Sequence, residues 1–171
     1  KQKVSVVEYM HMIELKTSVL LAGSAVIGAT LGGASEEDCR KLRRFAVELG
    51  LAFQLQDDLL DSYGDERLGK AIGGDILEGK KTYLMVTAMS RADEPTREIL
   101  RHTYRDATLT DAEKIARVKE VYDRLDIPRL TEQQISLRFE RALATLDSLS
   151  ADPARTLRMR EFAEGLMGRK K

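Results

Sequence analysis

A cluster of acidic side chains lies near the middle of the sequence, in the segment FQLQDDLLD at residues 53–61. Four polar residues of this segment are spaced at i, i+3, i+4 and i+7, which places them on one face of a helix: Gln54, Asp57, Asp58 and Asp61. Like charges at such spacings repel by roughly 0.2–0.5 kcal/mol per pair, and no lysine or arginine occurs between Phe45 and Glu66. Carboxylate oxygens that converge on one point suit a hard divalent cation, above all Mg²⁺.

The alternative interpretation is a solvated acidic helix face, which is the usual fate of a run of charges. Apolar residues are interleaved with the acids, so that much of the helix circumference is apolar: Leu51, Phe53, Leu55, Leu59 and Leu60. Such a helix is expected to be mostly buried, and buried carboxylates are costly unless they bind metal or accept hydrogen bonds. The pattern therefore favours a metal site.

A second segment, whose residue types suit ligand binding, is rich in glycine and lysine. Residues 64–81 contain five glycines together with Lys70, Lys80, Lys81 and Asp75. Glycine permits close approach of the backbone to a ligand, and an ammonium group is a good point-charge partner for phosphate. Next to an acidic helix, this segment suits a metal-bridged di- or triphosphate; taken alone, it is also compatible with an ordinary solvent loop.

A third segment is Lys16-Thr17, at the start of an uncharged stretch. Lys16 is the only lysine or arginine between Lys3 and Arg40. A lone ammonium beside buried structure tends to have a partner. For Lys16 that partner is either a bound phosphate or the neighbouring side chain of Glu14. Together with the other two segments, Lys16 completes a phosphate clamp.

Composition limits the class of protein. The chain has 171 residues, 43% hydrophobic and 33% charged, with three prolines and no tryptophan, as is typical of a soluble helical domain. The net charge of zero gives no general affinity for nucleic acid or anionic membranes. The single cysteine, Cys39, excludes an intrachain disulfide and a cysteine-built metal site, and fits a cytoplasmic location. His11 and His102 are interpreted as ordinary side chains rather than ligands.

Helical signals run along almost the whole chain, so the sequence predicts a single all-α domain over residues 1–171. Helices are expected from residue 4 towards Lys16, through the small-residue stretch, and at about 36–62, 81–90 and 95–104, with a break at 64–80. Two capping boxes, at Thr110-Glu113 and Thr131-Gln134, predict helix starts, and Asp152-Pro153 predicts the start of a last helix. No alternating strand pattern competes.

The charge-free stretch from Thr17 to Ser35 is almost long enough to span a bilayer, and Gly28 and Gly32 match a helix-dimerisation pattern. It is rich in small residues, however, and has few leucines and few aromatic anchors. We expect a buried, tightly packed central helix and no membrane span.

These residues resemble the trans-isoprenyl diphosphate synthases, also called polyprenyl synthetases. Residues 53–61, FQxxDDxxD, look like the second aspartate-rich motif of that family, and YGD at 63–65 continues it. The family's glycine- and lysine-containing segment looks like residues 69–82, and its upstream lysine-threonine motif looks like residues 9–17. The three motifs occur in the right order. The resemblance implies the isoprenoid-synthase-like helical bundle, with this chain as its C-terminal half, while residues 93–171 contribute only helicity to it.

The resemblance also implies roles for individual residues. Asp57 would bind Mg²⁺ directly, whereas Asp58 and Asp61 would bind it directly or through water. Lys16 and Lys70 would grip the allylic diphosphate, with Lys80 close by. Thr17 and Gln54 would line the pocket near the reacting carbons. The residues expected to act in catalysis are thus Lys16, Thr17, Gln54, Asp57, Asp58 and Lys70.

The reaction implied is ionisation of an allylic diphosphate, addition of isopentenyl diphosphate to the allylic cation, and loss of a proton, which lengthens the chain by one five-carbon unit. The expected partners are these two diphosphates and a second copy of the chain in a homodimer, with no nucleic acid.

The chain departs from the family pattern in one respect. It has no other Asp-Asp pair, whereas the family carries a first aspartate-rich motif on an earlier helix. We therefore expect a fragment that is inactive alone. Two alternatives remain: a non-catalytic subunit of a heteromeric prenyl diphosphate synthase, and a class I terpene cyclase. Retention of the aspartates and lysines speaks against the first, and no convincing Asn/Asp-Ser/Thr-Glu metal triad follows Asp61 to support the second.

Overall fold

Helices form wherever the sequence carries apolar residues at helical spacing. The computed structural model describes residues 4–64 and 72–168, and within these ranges it contains helices, turns and no strand. The prediction of an all-α fold is confirmed. The helices are α1 (Val6–Ile13), α2 (Val19–Leu31), α3 (Glu36–Tyr63), α4 (Gly74–Leu77), α5 (Tyr83–Arg91), α6 (Glu94–Arg105), α7 (Asp111–Arg124), α8 (Ile127–Asp147) and α9 (Pro153–Met167), with a π turn (Glu14–Ser18) between α1 and α2.

Local side-chain hydrogen bonds fix several helix starts. Thr110 and Glu113 form the predicted capping box at the start of α7, each side chain bonding to the other residue's main-chain N–H. Pro153 occupies the first turn of α9 after Asp152, as predicted. The hydroxyl of Thr82 caps α5. Each cap satisfies N–H groups that have no partner within the helix.

The second capping box predicted from the sequence is wrong. Helix α8 begins at Ile127, four residues before Thr131, and Pro128 lies in its first turn, where a missing N–H costs nothing. Thr131 is buried inside α8, and its hydroxyl donates to the Ile127 carbonyl. Asp126, with a φ of 59°, turns the chain between α7 and α8.

The described residues form two compact units: residues 4–10 with 57–64 and 72–132, and residues 11–56 with 133–168. The prediction of a single domain stays a prediction. In the first unit, α7 packs against α4, α5 and α6. The fully buried side chains at its centre are Leu84, Leu100, Val118, Tyr122 and Ile127.

The second unit has a core built from α2, α3, α8 and α9. Its buried residues are Ala22, Leu42, Phe45, Ala46, Leu49, Ala142, Leu146 and Ala163. Burial of one of the larger of these side chains contributes roughly 1.5–3 kcal/mol. The small residues among them let α2, α8 and α9 approach α3 closely.

The expectation that the charge-free stretch forms a buried helix is wrong for this chain. One side of α2 packs on the core, through Ala22 and the partly buried Leu21, Ala25 and Ala29. Away from that side, Leu20 is 76% exposed and Leu31 is 85% exposed. Within the described residues, the helical stretch Val6–Leu31 is the one long and apolar enough to cross a membrane; core helices of soluble proteins meet the same test.

Candidate functional site

The acidic residues of the middle segment lie on α3, as predicted, but their side chains have different surroundings. Asp57 is exposed, Asp58 is buried with 4% exposure, and Asp61 is half-buried. Successive residues of an α-helix are rotated by about 100°. Asp57 and Asp58 therefore point to different sides of α3, and the face expected to be uniform divides in two.

Asp58 is held by two donors from other helices. Its Oδ2 accepts a hydrogen bond from the Tyr9 hydroxyl in α1 and another, at 2.8 Å, from the main-chain N–H of Tyr83. Tyr83 is the first residue of α5, so the carboxylate lies at a helix N-terminus, where negative charge is stabilised. Burial and the Asp58 charge raise the pKa of the Tyr9 phenol, which keeps its proton for donation. Asp58 thus connects α1, α3 and α5.

Asp61 is connected to the short helix α4. Its Oδ2 accepts from the main-chain N–H of Asp75 at 2.9 Å, and its carbonyl accepts from the N–H of Gly73 at 2.6 Å. Burial is the main cause that raises the pKa of Asp61, and the charges of Asp75 and Asp57 add to it. The Asp75 N–H and the ammonium of Lys80 act in the opposite direction. Negative charge is therefore concentrated at this point of the first unit.

Lys80 already has carboxylate partners. Its ammonium lies 2.8 Å from Asp75 Oδ1 and 2.9 Å from Glu78 Oε2, and the hydrogen bond to Asp75 is the largest cause that raises its pKa. Lys80 remains charged and is half exposed. Its ammonium neutralises part of the negative charge of Asp75 and Glu78. The role of Lys80 in diphosphate binding stays a prediction.

Mg²⁺ suits the donor chemistry of Asp57 and Asp61 on α3. Both groups offer oxygen, they lie one helical turn apart, and the Asp57 charge is felt at Asp61. Mg²⁺ is commonly bound by one or two carboxylates together with water and substrate phosphate. Among residues 4–64 and 72–168, no three Asp, Glu, His or Cys side chains are grouped so as to hold a metal. The structure therefore does not bring Asp57, Asp58 and Asp61 together at one point.

The second unit contains the remaining predicted residues that the structure describes. Lys16 and Thr17 lie in the π turn, where Lys16 is exposed and Thr17 is half-buried. The Thr17 hydroxyl donates to Oε1 of Gln54 in α3 at 3.1 Å. The sequence predicted that Thr17 and Gln54 share a pocket, and the structure places them in contact. Lys70 lies outside the described residues.

Two contributors to these arrangements were given no role by the sequence. Tyr9 reaches Asp58 across 49 residues of sequence, and nothing in the spacing of either motif indicates that pairing. The π turn interrupts a helical pattern without a proline or glycine to mark it. The Tyr9–Asp58 hydrogen bond is a tertiary contact, which a local pattern does not encode.

Comparison with known proteins gives consistent results. A family model described as polyprenyl synthetase matches residues 1–125, which include every predicted site residue. A short chain isoprenyl diphosphate synthase of Methanocaldococcus jannaschii is 41% identical over 107 residues, which cover 62% of this chain and 33% of that protein. The chain thus spans about a third of the length of this curated relative.

Solved structures match over all or nearly all of the chain. A crystal structure of a geranylgeranyl pyrophosphate synthase superposes with a TM-score of 0.88 and 35% identity, covering 100% of this chain and 54% of the other. The geranylgeranyl pyrophosphate synthase of Corynebacterium glutamicum, complexed with isoprenyl diphosphate and magnesium, gives a TM-score of 0.86 and 30% identity, covering 97% of this chain and 47% of the other. The helical arrangement is therefore that of about half of such a protein.

Proposed function

The chain belongs to the polyprenyl synthetase family, and on that premise we propose that the full-length protein is a prenyltransferase of isoprenoid biosynthesis. It joins an allylic diphosphate to isopentenyl diphosphate and releases pyrophosphate. The carbon–oxygen bond of the allylic diphosphate breaks, the double bond of isopentenyl diphosphate attacks the resulting cation, and a proton is lost. The product is one five-carbon unit longer.

One observation carries this proposal: within the matched segment, α3 presents Asp57 to solvent one turn from the half-buried Asp61. Two oxygen donors at this spacing suit a cation that also binds substrate phosphate. We assign Mg²⁺ to Asp57 and Asp61. Bound there, Mg²⁺ would neutralise charge on the departing pyrophosphate.

The other side chains divide the remaining tasks. Lys16, which is exposed, and Lys80, which is charged, bind diphosphate oxygens as point charges; Lys70 joins them by its position in the motif. Thr17 and Gln54, already hydrogen-bonded to each other, line the pocket beside the reacting carbons. Asp58 contributes from its buried position, either through water or by holding α3 in place.

Further properties follow from the same proposal. The chain covers about half of the solved relatives, and it lacks a first aspartate-rich motif. We therefore propose that these 171 residues alone are inactive. The full-length protein would act as a cytoplasmic homodimer.

The test uses protein expressed from the whole reading frame, with labelled isopentenyl diphosphate, an allylic diphosphate and Mg²⁺. We expect a labelled prenyl diphosphate, abolished by a chelator. Asp57→Asn should lower kcat/KM by about a hundredfold or more, a loss typical of removing one charge-stabilising group. The control is Asp111→Asn, the same change at an exposed residue in the first turn of α7.

Other outcomes would redirect the assignment. A cyclic hydrocarbon formed from the allylic diphosphate alone would indicate a terpene cyclase. No turnover without a second, different chain would indicate a subunit of a heteromeric synthase. Equal activity of Asp57→Asn and Asp111→Asn would remove the metal role of Asp57.

A further inference from the structure

The π turn at Glu14–Ser18 changes the direction of the side chains it contains. The N–H of Val19 bonds to the carbonyl of Glu14, five residues back instead of four. The turn therefore contains one more residue than an α turn, which rotates the following side chains by about 100° relative to an uninterrupted helix. Such turns are rare, and those that do occur are often found at functional sites. This one contains Lys16 and Thr17.

The widened turn lies directly against Gly50 in the middle of α3. A Cβ atom at position 50 would stand 2.6 Å from Ser18 Oγ and 2.9 Å from Ser18 Cα, closer than real Cβ contacts allow. Both residues are buried. Glycine is unfavourable in a helix interior, and Gly50 does not have the positive φ that would require it. What position 50 requires is space.

A second contact lies one turn further along α3. Gln54 follows Gly50 by four residues and so shares its face of the helix, and it accepts the hydrogen bond of Thr17 at 3.1 Å. The π turn thus meets α3 twice, through Ser18 at Gly50 and through Thr17 at Gln54. Two contacts one turn apart fix both the distance and the rotation of the turn.

The hydroxyl of Ser18 does not provide this fixation. It is fully buried, and within the described residues its Oγ has no hydrogen-bond partner. The close fit of the Ser18 backbone to Gly50 therefore holds the turn.

We infer that Gly50 is a positioning residue, which lets the π turn seat against α3 and thereby sets the places of the Lys16 ammonium and the Thr17 hydroxyl. The seating of the turn depends only on its contacts with Gly50 and Gln54. The effect of that seating on substrate rests on the proposed function, in which the Lys16 ammonium and the Thr17 hydroxyl meet the allylic diphosphate. A methyl group at position 50 would push the turn outward, and displacement of such groups by about 1 Å can cost up to a hundredfold in rate.

The experiment compares Gly50→Ala with Gly165→Ala in the full-length protein. Gly165 lies in α9 with no atom within 4 Å of an added Cβ, so the same change there meets open space. We expect Gly50→Ala to raise the KM for the allylic diphosphate about tenfold or more and the KM for isopentenyl diphosphate less than twofold. Gly165→Ala should match the unsubstituted protein in both.

Hydrogen exchange supplies a readout that does not depend on activity. The Val19 amide, bonded to Glu14, should lose protection in Gly50→Ala and keep it in Gly165→Ala. Unchanged protection in a folded Gly50→Ala overturns the inference, whether or not the protein transfers prenyl groups. Absence of prenyl transfer by the unsubstituted protein would instead overturn the proposed function, and the exchange result would still decide the geometry.

A double substitution covers the case in which Gly50→Ala folds poorly. Ser18→Gly removes the atoms that would stand 2.6 and 3.1 Å from the new Cβ but leaves Cα at 2.9 Å. Gly50→Ala with Ser18→Gly should therefore recover part of the Val19 protection and part of the allylic KM. No recovery, or equal rises in both KM values, would show that Gly50 acts only on general stability and would overturn the inference.

Discussion

The hydroxyl of Tyr9 donates a hydrogen bond to Oδ2 of Asp58, and both side chains are almost fully buried, at 3% and 4% exposure. The same oxygen accepts the N–H of Tyr83 at 2.8 Å. The rings of Tyr9 and Tyr83 also lie near each other, with centroids 6.3 Å apart. Side chains and main chain from α1, α3 and α5 therefore meet at one carboxylate, and the rotation of α3 that this contact fixes determines where Asp57 and Asp61 point.

Tyr9→Phe tests this contact by removing only the hydroxyl. Hydrogen bonds to charged groups contribute about 1.5–3 kcal/mol, and we expect a loss of that size in the free energy of unfolding, measured with urea. The control is Tyr104→Phe, whose hydroxyl lies 3.4 Å from the uncharged hydroxyl of Tyr122. A loss there of about 1 kcal/mol or less is expected. Equal losses in the two variants would deny Asp58 its special role.

Asp57 and Asp58 are neighbours in sequence with opposite expected responses. Asp57→Asn changes an exposed side chain, so the free energy of unfolding without ligand should change by about 0.5 kcal/mol or less. Asp57→Asn should instead change the response to ligand. Mg²⁺ with pyrophosphate should raise the Tm of the unsubstituted protein, and most of that rise should be lost in Asp57→Asn.

Asp58→Asn should lower Tm without any ligand, because the buried carboxylate loses the charge that its two donors stabilise. Thermal unfolding of both variants, with and without Mg²⁺ and pyrophosphate, separates the two effects. A ligand-free Tm that falls as far in Asp57→Asn as in Asp58→Asn would contradict the division of the acidic face.

Some of these features were predictable from the sequence. The extent of α3 was predictable, because Ser35 and the acids after it signal the start of a helix and apolar residues recur without a break to Tyr63. The i, i+3, i+4 and i+7 spacing predicts one face for Asp57 and Asp58, yet helix geometry also separates them: residues at i+3 and i+4 flank the line through i on opposite sides. Which of the two is buried depends on Tyr9 and Tyr83, which come from elsewhere in the chain.

Other features depend on tertiary structure alone. Thr131 matches a capping box in its local sequence, yet α8 starts earlier, since Pro128 is suited to a first helical turn and Ile127 is fully buried. The π turn has no proline or glycine in it to mark it, and the residue that it lies against, Gly50, is more than thirty residues away in the sequence. The exposed side of α2 could not be foreseen from composition, which is the same for buried and exposed apolar helices.

The pH dependence of stability should be visible at Asp38, which is buried in the first turn of α3. Its Oδ1 accepts the N–H of Ser150 at 3.1 Å and its Oδ2 accepts the Ser150 hydroxyl. These bonds, led by the one from the hydroxyl, lower the pKa of Asp38 from 3.8. A carboxyl whose pKa is lower in the folded state stabilises the protein above its unfolded pKa, and loses that contribution as pH falls through the folded value.

Asp38→Asn should therefore be less stable than the unsubstituted protein at pH 7 and at pH 5, and the difference should shrink as the pH falls below about 3.8. Urea unfolding at pH 7, 5, 4 and 3 measures it. Ser150→Ala, which removes the hydroxyl donor and keeps the main-chain donor, should show a smaller difference with the same trend. A difference that is constant across this range would exclude ionised Asp38 as the cause.

Gly73 precedes the first residue of α4, and its main-chain N–H bonds to the Asp61 carbonyl in α3. Its φ is 84°, and a Cβ atom there would stand 2.7 Å from Cδ1 of Ile115 in α7. Gly79 has a φ of 65° but open space around it, so Gly79→Ala carries only the backbone cost of about 1–2 kcal/mol. Gly73→Ala should carry that cost and a steric cost of about 1–3 kcal/mol in addition.

Urea unfolding of the two alanine variants isolates the steric part as their difference, and a double-mutant cycle with Ile115→Ala checks its origin. Removing the isoleucine side chain should make Gly73→Ala cost about as much as Gly79→Ala. The Gly73 N–H also bonds to the Asp61 carbonyl, so Gly73→Ala should weaken Mg²⁺ and pyrophosphate binding while Gly79→Ala leaves it nearly unchanged. If both variants lose stability equally, contact with Ile115 does not constrain position 73, and the connection from α4 to Asp61 is looser than the structure shows.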